Sequence, residues 1–117
     1  MFLKENSYND IPKYIRKHIP EFVSIFDDDE IYPLVYELGS YVIDSFSNEK
    51  LVIKAAAFIN EVLELESSKI EDLIVLQFFQ QIYPLAVNQT VFFKSQLSKK
   101  SRHIYDVYCK EFKKDNN

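Results

Sequence analysis

A single glycine, Gly39, and four prolines punctuate a chain of 117 residues, which leaves it short of the residues that reverse strands sharply or wrap backbone around a phosphate. Hairpin-rich sheets and glycine-loop nucleotide sites are therefore poor readings, and helices are the natural one. Hydrophobic residues make up 47% of the chain and charged residues 27%, enough apolar surface to close one core without disulfide or metal staples. The expectation is an all-α, single-domain bundle of about five helices spanning residues 1–117.

Start signals and apolar spacing place those helices. Asp10 and Pro12 open a short helix over residues 11–19, with Asp10 as the side-chain cap, and Pro20 restarts the chain into a second short helix over residues 21–26. The run Asp27-Asp28-Asp29-Glu30 stands where carboxylates cap a helix start, and Ile31, Val35, Leu38, Val42 and Phe46 then recur on one face. Gly39 interrupts that helix at a cost of about 1 kcal/mol relative to alanine, which points to close approach by a neighbouring helix. Asn48 caps a segment over residues 49–66, whose stripe of Leu51, Val52, Ala55, Ala56, Phe58, Ile59, Val62 and Leu63 is wide enough for a central helix. Ser68-Lys69-Ile70-Glu71 reads as a capping box introducing a largely buried helix that Pro84 ends near Ile82 or Tyr83. Beyond it, Val91, Phe92 and Leu97, then Ile104, Tyr105, Tyr108 and Phe112, allow one broken or two consecutive helices ending near Lys114. The core is expected mainly from the segments beginning at Ile31, Glu49 and Ser68.

Little catalytic chemistry is legible. Cys109 is the only cysteine; near a helix C-terminus it reads as structural rather than nucleophilic, and it fits the reducing cytoplasm. The N-terminus turns polar after three residues, and no apolar run approaches the roughly 18 residues of a membrane span, so neither export nor membrane insertion is expected. His18 and His103 lie too far apart for a paired zinc motif, and neither metal nor cofactor is expected. His103 and Asp106, three apart on one helix, resemble two members of a triad, a pairing that charged helices supply by chance. The chain is read as a non-enzyme.

Charge is more informative. Residues 1–20 carry four basic and two acidic groups, residues 21–72 three and thirteen, and residues 73–117 seven and three. An acidic middle of this kind steers basic partners. The candidate partner-binding residues are its two acidic clusters, Asp27, Asp28, Asp29 and Glu30 in one and Glu61, Glu64, Glu66, Glu71 and Asp72 in the other, with an exposed tyrosine as anchor. The basic tail, with Lys94, Lys99, Lys100, Arg102, Lys110, Lys113 and Lys114, offers a nucleic-acid-binding alternative that the upstream acidity disfavours.

The stretch FINEVLELESSKIEDLIVLQFFQQIY, residues 58–83, resembles the centre of a family of small helical bacterial immunity-type proteins, in which a helix of the form F-L-E-E-A-L precedes an acidic turn and a second apolar helix. YPLVYELGSYVIDSF, residues 32–46, looks like the helix that commonly comes before. Asp72 stands where the family has asparagine, and Gln80 where it has glutamate. The resemblance implies a protein that binds and neutralises a secreted or contact-delivered toxin domain. Many such toxins are nucleases with basic surfaces, which an acidic helical protein can occupy by charge mimicry. The expected partner is accordingly a basic toxin domain, not nucleic acid or membrane; a scaffolding module of other role is the alternative.

Overall fold

In the computed structural model, which describes residues 7–115 and side chains as far as Tyr108, a short 3-10 turn, Tyr8–Asp10, leads into six helices. They are α1 (Ile11–His18), α2 (Ile31–Asp44), α3 (Glu49–Leu63), α4 (residues 68–82), α5 (Val87–Gln96) and α6 (Lys99–Asp115). No strand occurs among the described residues, and the all-α reading holds with one helix more than expected. The expectations for the side chains of Cys109, Lys110, Phe112, Lys113 and Lys114 fall outside the described residues, as does the segment 1–6.

Cap geometry separates the start signals that act from those that do not. Asn48 and Ser67 have extended backbone, with ψ of 95° and 123°, and each side chain accepts the N–H three residues on, from Leu51 and Ile70 at 3.2 Å. The serine that caps α4 is thus Ser67, one position before the expected box. Asp10 is already helical, at φ −88° and ψ 0°, so its carboxylate makes no cap bond and pairs instead with Lys13 at 3.7 Å. The acidic run does not cap α2 either: the Glu30 carboxylate turns back to accept the Asp27 N–H at 2.9 Å, closing a turn ahead of the helix.

The expected helix over residues 21–26 is absent. Burial there alternates, with Phe22, Ser24 and Phe26 turned inward and Val23 and Ile25 outward, a period of two in place of 3.6. The Ser24 hydroxyl accepts the Phe26 N–H at 2.9 Å, a local bond that competes with helix formation, and the β-branched neighbours lose little by remaining extended.

α3 is the central helix, packing against every other helix and burying Leu51, Val52, Ala55, Ala56, Phe58, Ile59, Val62 and Leu63. Its Asn60 pins the α5–α6 turn at both ends of one amide, Nδ2 donating to the Gln96 carbonyl at 3.1 Å and Oδ1 accepting the Ser98 N–H at 2.9 Å. The middle of α4, Val75–Phe79, widens into a π-helical turn where α2 crosses it. Gly39 lies at this crossing. A Cβ placed there would come within 2.5 Å of Gln81 Nε2 and 3.4 Å of the Gln77 carbonyl, so the close approach inferred for this glycine is present. Phe93 of α5 then joins the α2–α3 turn, α4 and α6 through ring contacts with Phe46, Phe78, Phe79 and Tyr105 at 5.9–6.3 Å. The radius of gyration is 13.6 Å, matching the ~13 Å of one compact unit of this length.

Candidate protein-docking surface

The non-helical segment between α1 and α2 is tied down at several points. Glu37 of α2 accepts the Ser24 hydroxyl and, at 3.3 Å, the Ile25 N–H. Phe22 is buried and stacks at a tilt on Tyr41, 5.2 Å between centroids. Asp28 meets Arg16 of α1 at 3.2 Å, and Glu21 meets Lys54 of α3 at 3.2 Å. While the backbone is clamped, Val23 and Ile25 are held out to solvent at 85% and 84% exposure. Holding apolar side chains in water without collapse requires such a clamp, because nothing about their own hydration favours it.

Three grooves border the loop: one of about 310 Å3 toward α1, lined by Arg16, Pro20, Phe22 and Val23 among others, and two that are more open. One, of about 590 Å3, is lined by Ile25, Phe26, Pro33, Tyr36, Glu37 and Gln77 and is almost wholly apolar. The other, of about 500 Å3, is lined by Asn9, Asp28, Asp29, Glu30 and the rings of Tyr8 and Tyr32. Tyr32 and Tyr36 stand exposed on α2 at one helical turn's spacing. An apolar centre, exposed tyrosines and a carboxylate rim on a fixed backbone make up the anatomy of a protein-docking patch.

The two acidic clusters meet different surroundings. In the first, Asp28 is ion-paired and Glu30 engages the Asp27 backbone, while the carboxylates of Asp27 and Asp29 make no ion pair among the described residues. In the second, each of three carboxylates faces its own neighbour. Glu61 lies 2.9 Å from Lys17 Nζ and 2.6 Å from His18 Nε2, Glu66 lies 3.7 Å from Lys100, and Glu71 accepts the Tyr108 hydroxyl at 3.4 Å. Glu64 and Asp72 remain exposed without an ion pair among the described residues. Each cluster thus keeps two carboxylates outside ion pairs and hydrogen bonds among the described residues, Asp27 and Asp29 beside the far more exposed Val23 and Ile25, and Glu64 and Asp72 with Leu76, 43% exposed, one turn from Asp72.

Titration follows these partners. The hydrogen bond from His18, then that from Lys17, holds the Glu61 carboxyl below its usual 4.5. Glu21 is lowered by its own backbone N–H and then by Lys54. Burial, followed by the charges of Glu71 and Asp72, raises the Tyr108 phenol. Lowered carboxylates are what ion pairs produce, whereas general acids require the opposite displacement.

The other chemical candidates are not assembled. Asp106 pairs with Lys94 at 2.7 Å, and His103 is exposed. Among the described residues no three His, Cys, Asp or Glu side chains gather as they would around a metal ion, and no helix is long and apolar enough to cross a membrane. Val23 and Ile25 were not among the sequence's candidates because segment 21–26 reads locally as helix; the alternation of Phe22, Ser24 and Phe26 with Val23 and Ile25 is the signal that marks it. Compared with protein-family models, curated proteins and solved structures, the chain matches none.

Proposed function

We propose that the chain is a non-catalytic, protein-binding module acting as an immunity protein, which neutralises a basic toxin domain by docking it on the surface formed by residues 22–36. The observation that carries this reading is the pair Val23 and Ile25, fully presented by a clamped loop immediately beside Asp27, Asp29 and Glu30. Charge at such a rim sets encounter rate and partner choice, while the aliphatic pair and tyrosines supply the buried contact. The acidic groove containing Asp28, Asp29 and Glu30 fits lysine or arginine side chains of the kind that line a nuclease's substrate path. Because the clamp fixes the loop before the partner arrives, little ordering cost is left for binding.

The test is co-expression with each toxin domain encoded beside it. The intact chain protects the cell from one of them, and the variant Val23→Asp/Ile25→Asp, whose changes lie in solvent, folds but fails to protect. Absence of protection against every such domain, or equal protection by the variant, would overturn the proposal.

A further inference from the structure

α5 is apolar on two sides. Thr90 and Phe93 face the core, whereas Val87 and Val91, one turn apart, stand 75% and 57% exposed on the other face. A helix with two apolar sides has one contact more than its own fold satisfies. Beside Val91 runs a groove of about 310 Å3 completed by Lys94, Ser95 and Arg102. Lys94 is held by Asp106, but Lys99 and Arg102 of α6 make no ion pair among the described residues, Arg102 reaching only the Leu97 carbonyl at 3.4 Å. The first turn of α6 contains no acidic residue, so its cations add to the positive end of the helix dipole. This face is apolar and positive; the loop described above is apolar and negative.

We propose that a second copy of this chain docks its loop, residues 23–30, on the α5–α6 face, with Val23 and Ile25 against Val87 and Val91 and with Asp27 and Asp29 toward Arg102 and Lys99. Each surface offers two branched aliphatic side chains and a pair of unengaged charges, and the signs are opposite. An anionic bilayer fits this face less well. Valines give shallow insertion, and the chain's net charge of −4 is repelled by acidic headgroups. The contact is heterologous, joining different patches on the two copies. Self-association and the partner binding proposed above therefore compete for one loop, while the α5–α6 face serves self-association alone.

Sedimentation equilibrium of the full chain tests this. Across about 5–500 µM at low salt the average mass rises with a dissociation constant on the order of 10–100 µM, as suits so small a contact. Raising salt from roughly 50 to 500 mM weakens it several-fold. Val91→Asp and Ile25→Asp each leave the chain monomeric with unchanged circular dichroism, and an equimolar mixture of the two associates again because each supplies the surface the other lacks. A wild-type chain that is monomeric throughout, association that survives both variants, or a mixture that stays monomeric would each overturn the inference. Vesicle binding abolished by Val91→Asp would assign the face to membranes and overturn it too. Val91→Asp retains toxin protection, so loss of self-association and failure of the functional proposal read out separately.

Discussion

Gly39 shows how much one side chain's absence can organise. The Gln81 amide occupies the space a Cβ would take, donating to the Tyr36 and Gln77 carbonyls at 3.0 and 2.8 Å and accepting the Ser40 hydroxyl at 2.8 Å. Alanine at position 39 recovers about 1 kcal/mol of helix propensity, yet it displaces an amide making three bonds worth about 1 kcal/mol each. Gly39→Ala should consequently destabilise the chain by about 1–2 kcal/mol in urea unfolding, and removing the amide as well, in Gly39→Ala/Gln81→Ala, should add little further loss. Glu61 supplies a pH signature. Its carboxyl is lowered in the folded state, so its contribution is complete above the usual 4.5 and disappears as pH falls through the lower folded value. Glu61→Gln should therefore cost about 0.5–1 kcal/mol at neutral pH, and the difference from the native chain should shrink and vanish as pH falls below the usual 4.5 and through the lower folded value, as followed by urea titrations at each pH. That Glu61 serves Lys17 and His18 was not legible in the sequence, because the partners lie 43 and 44 positions away and only the packing of α1 on α3 joins them.

At the scale of elements, a signal repeated along several turns was readable, whereas one depending on a single bond was not. The stripes of α2 and α3 and the dense apolar run of α4 each repeat a period over at least three turns, and all three became helices with most of those residues inward, Phe46 falling just past the end of α2 and Leu76 of α4 facing solvent. Segment 21–26 has no such redundancy. Its outcome rests on the Ser24 hydroxyl and the Glu37 carboxylate, and the second of these comes from a different element. The same holds for the α4 cap, where Ser67 and Ser68 are both suitable and backbone geometry selects the first. Ser67→Ala should lower stability by about 1 kcal/mol, while Ser68→Ala, at an exposed position inside the first turn, should change it by less than about 0.3 kcal/mol. Equal effects in thermal unfolding would move the helix start. The π-helical turn left no trace in the apolar pattern, since Ile74, Val75, Phe78, Phe79 and Ile82 keep ordinary helical spacing.

Across the whole molecule, folding divides the acidic middle that composition reveals. Basic groups of α1 and α6 engage Asp28, Glu61 and Glu66, and the unpaired Asp27 and Asp29 are left beside the two most exposed large apolar side chains among the described residues, Val23 and Ile25. Linear charge located the two acidic clusters but could not say which carboxylates stay unpaired, because that depends on how α1 and α6 pack around α3. Toxin neutralisation as proposed requires the loop to be the docking surface. Its most direct test is calorimetric titration of the toxin domain identified by co-expression against three chains: the native one, Asp27→Lys/Asp29→Lys, and Glu64→Lys/Asp72→Lys. The loop reversal should weaken binding about tenfold or more, roughly 1.4 kcal/mol, and the reversal at 64 and 72 less than about twofold. The opposite ranking, with affinity lost at 64 and 72 and retained at the loop, would contradict the account.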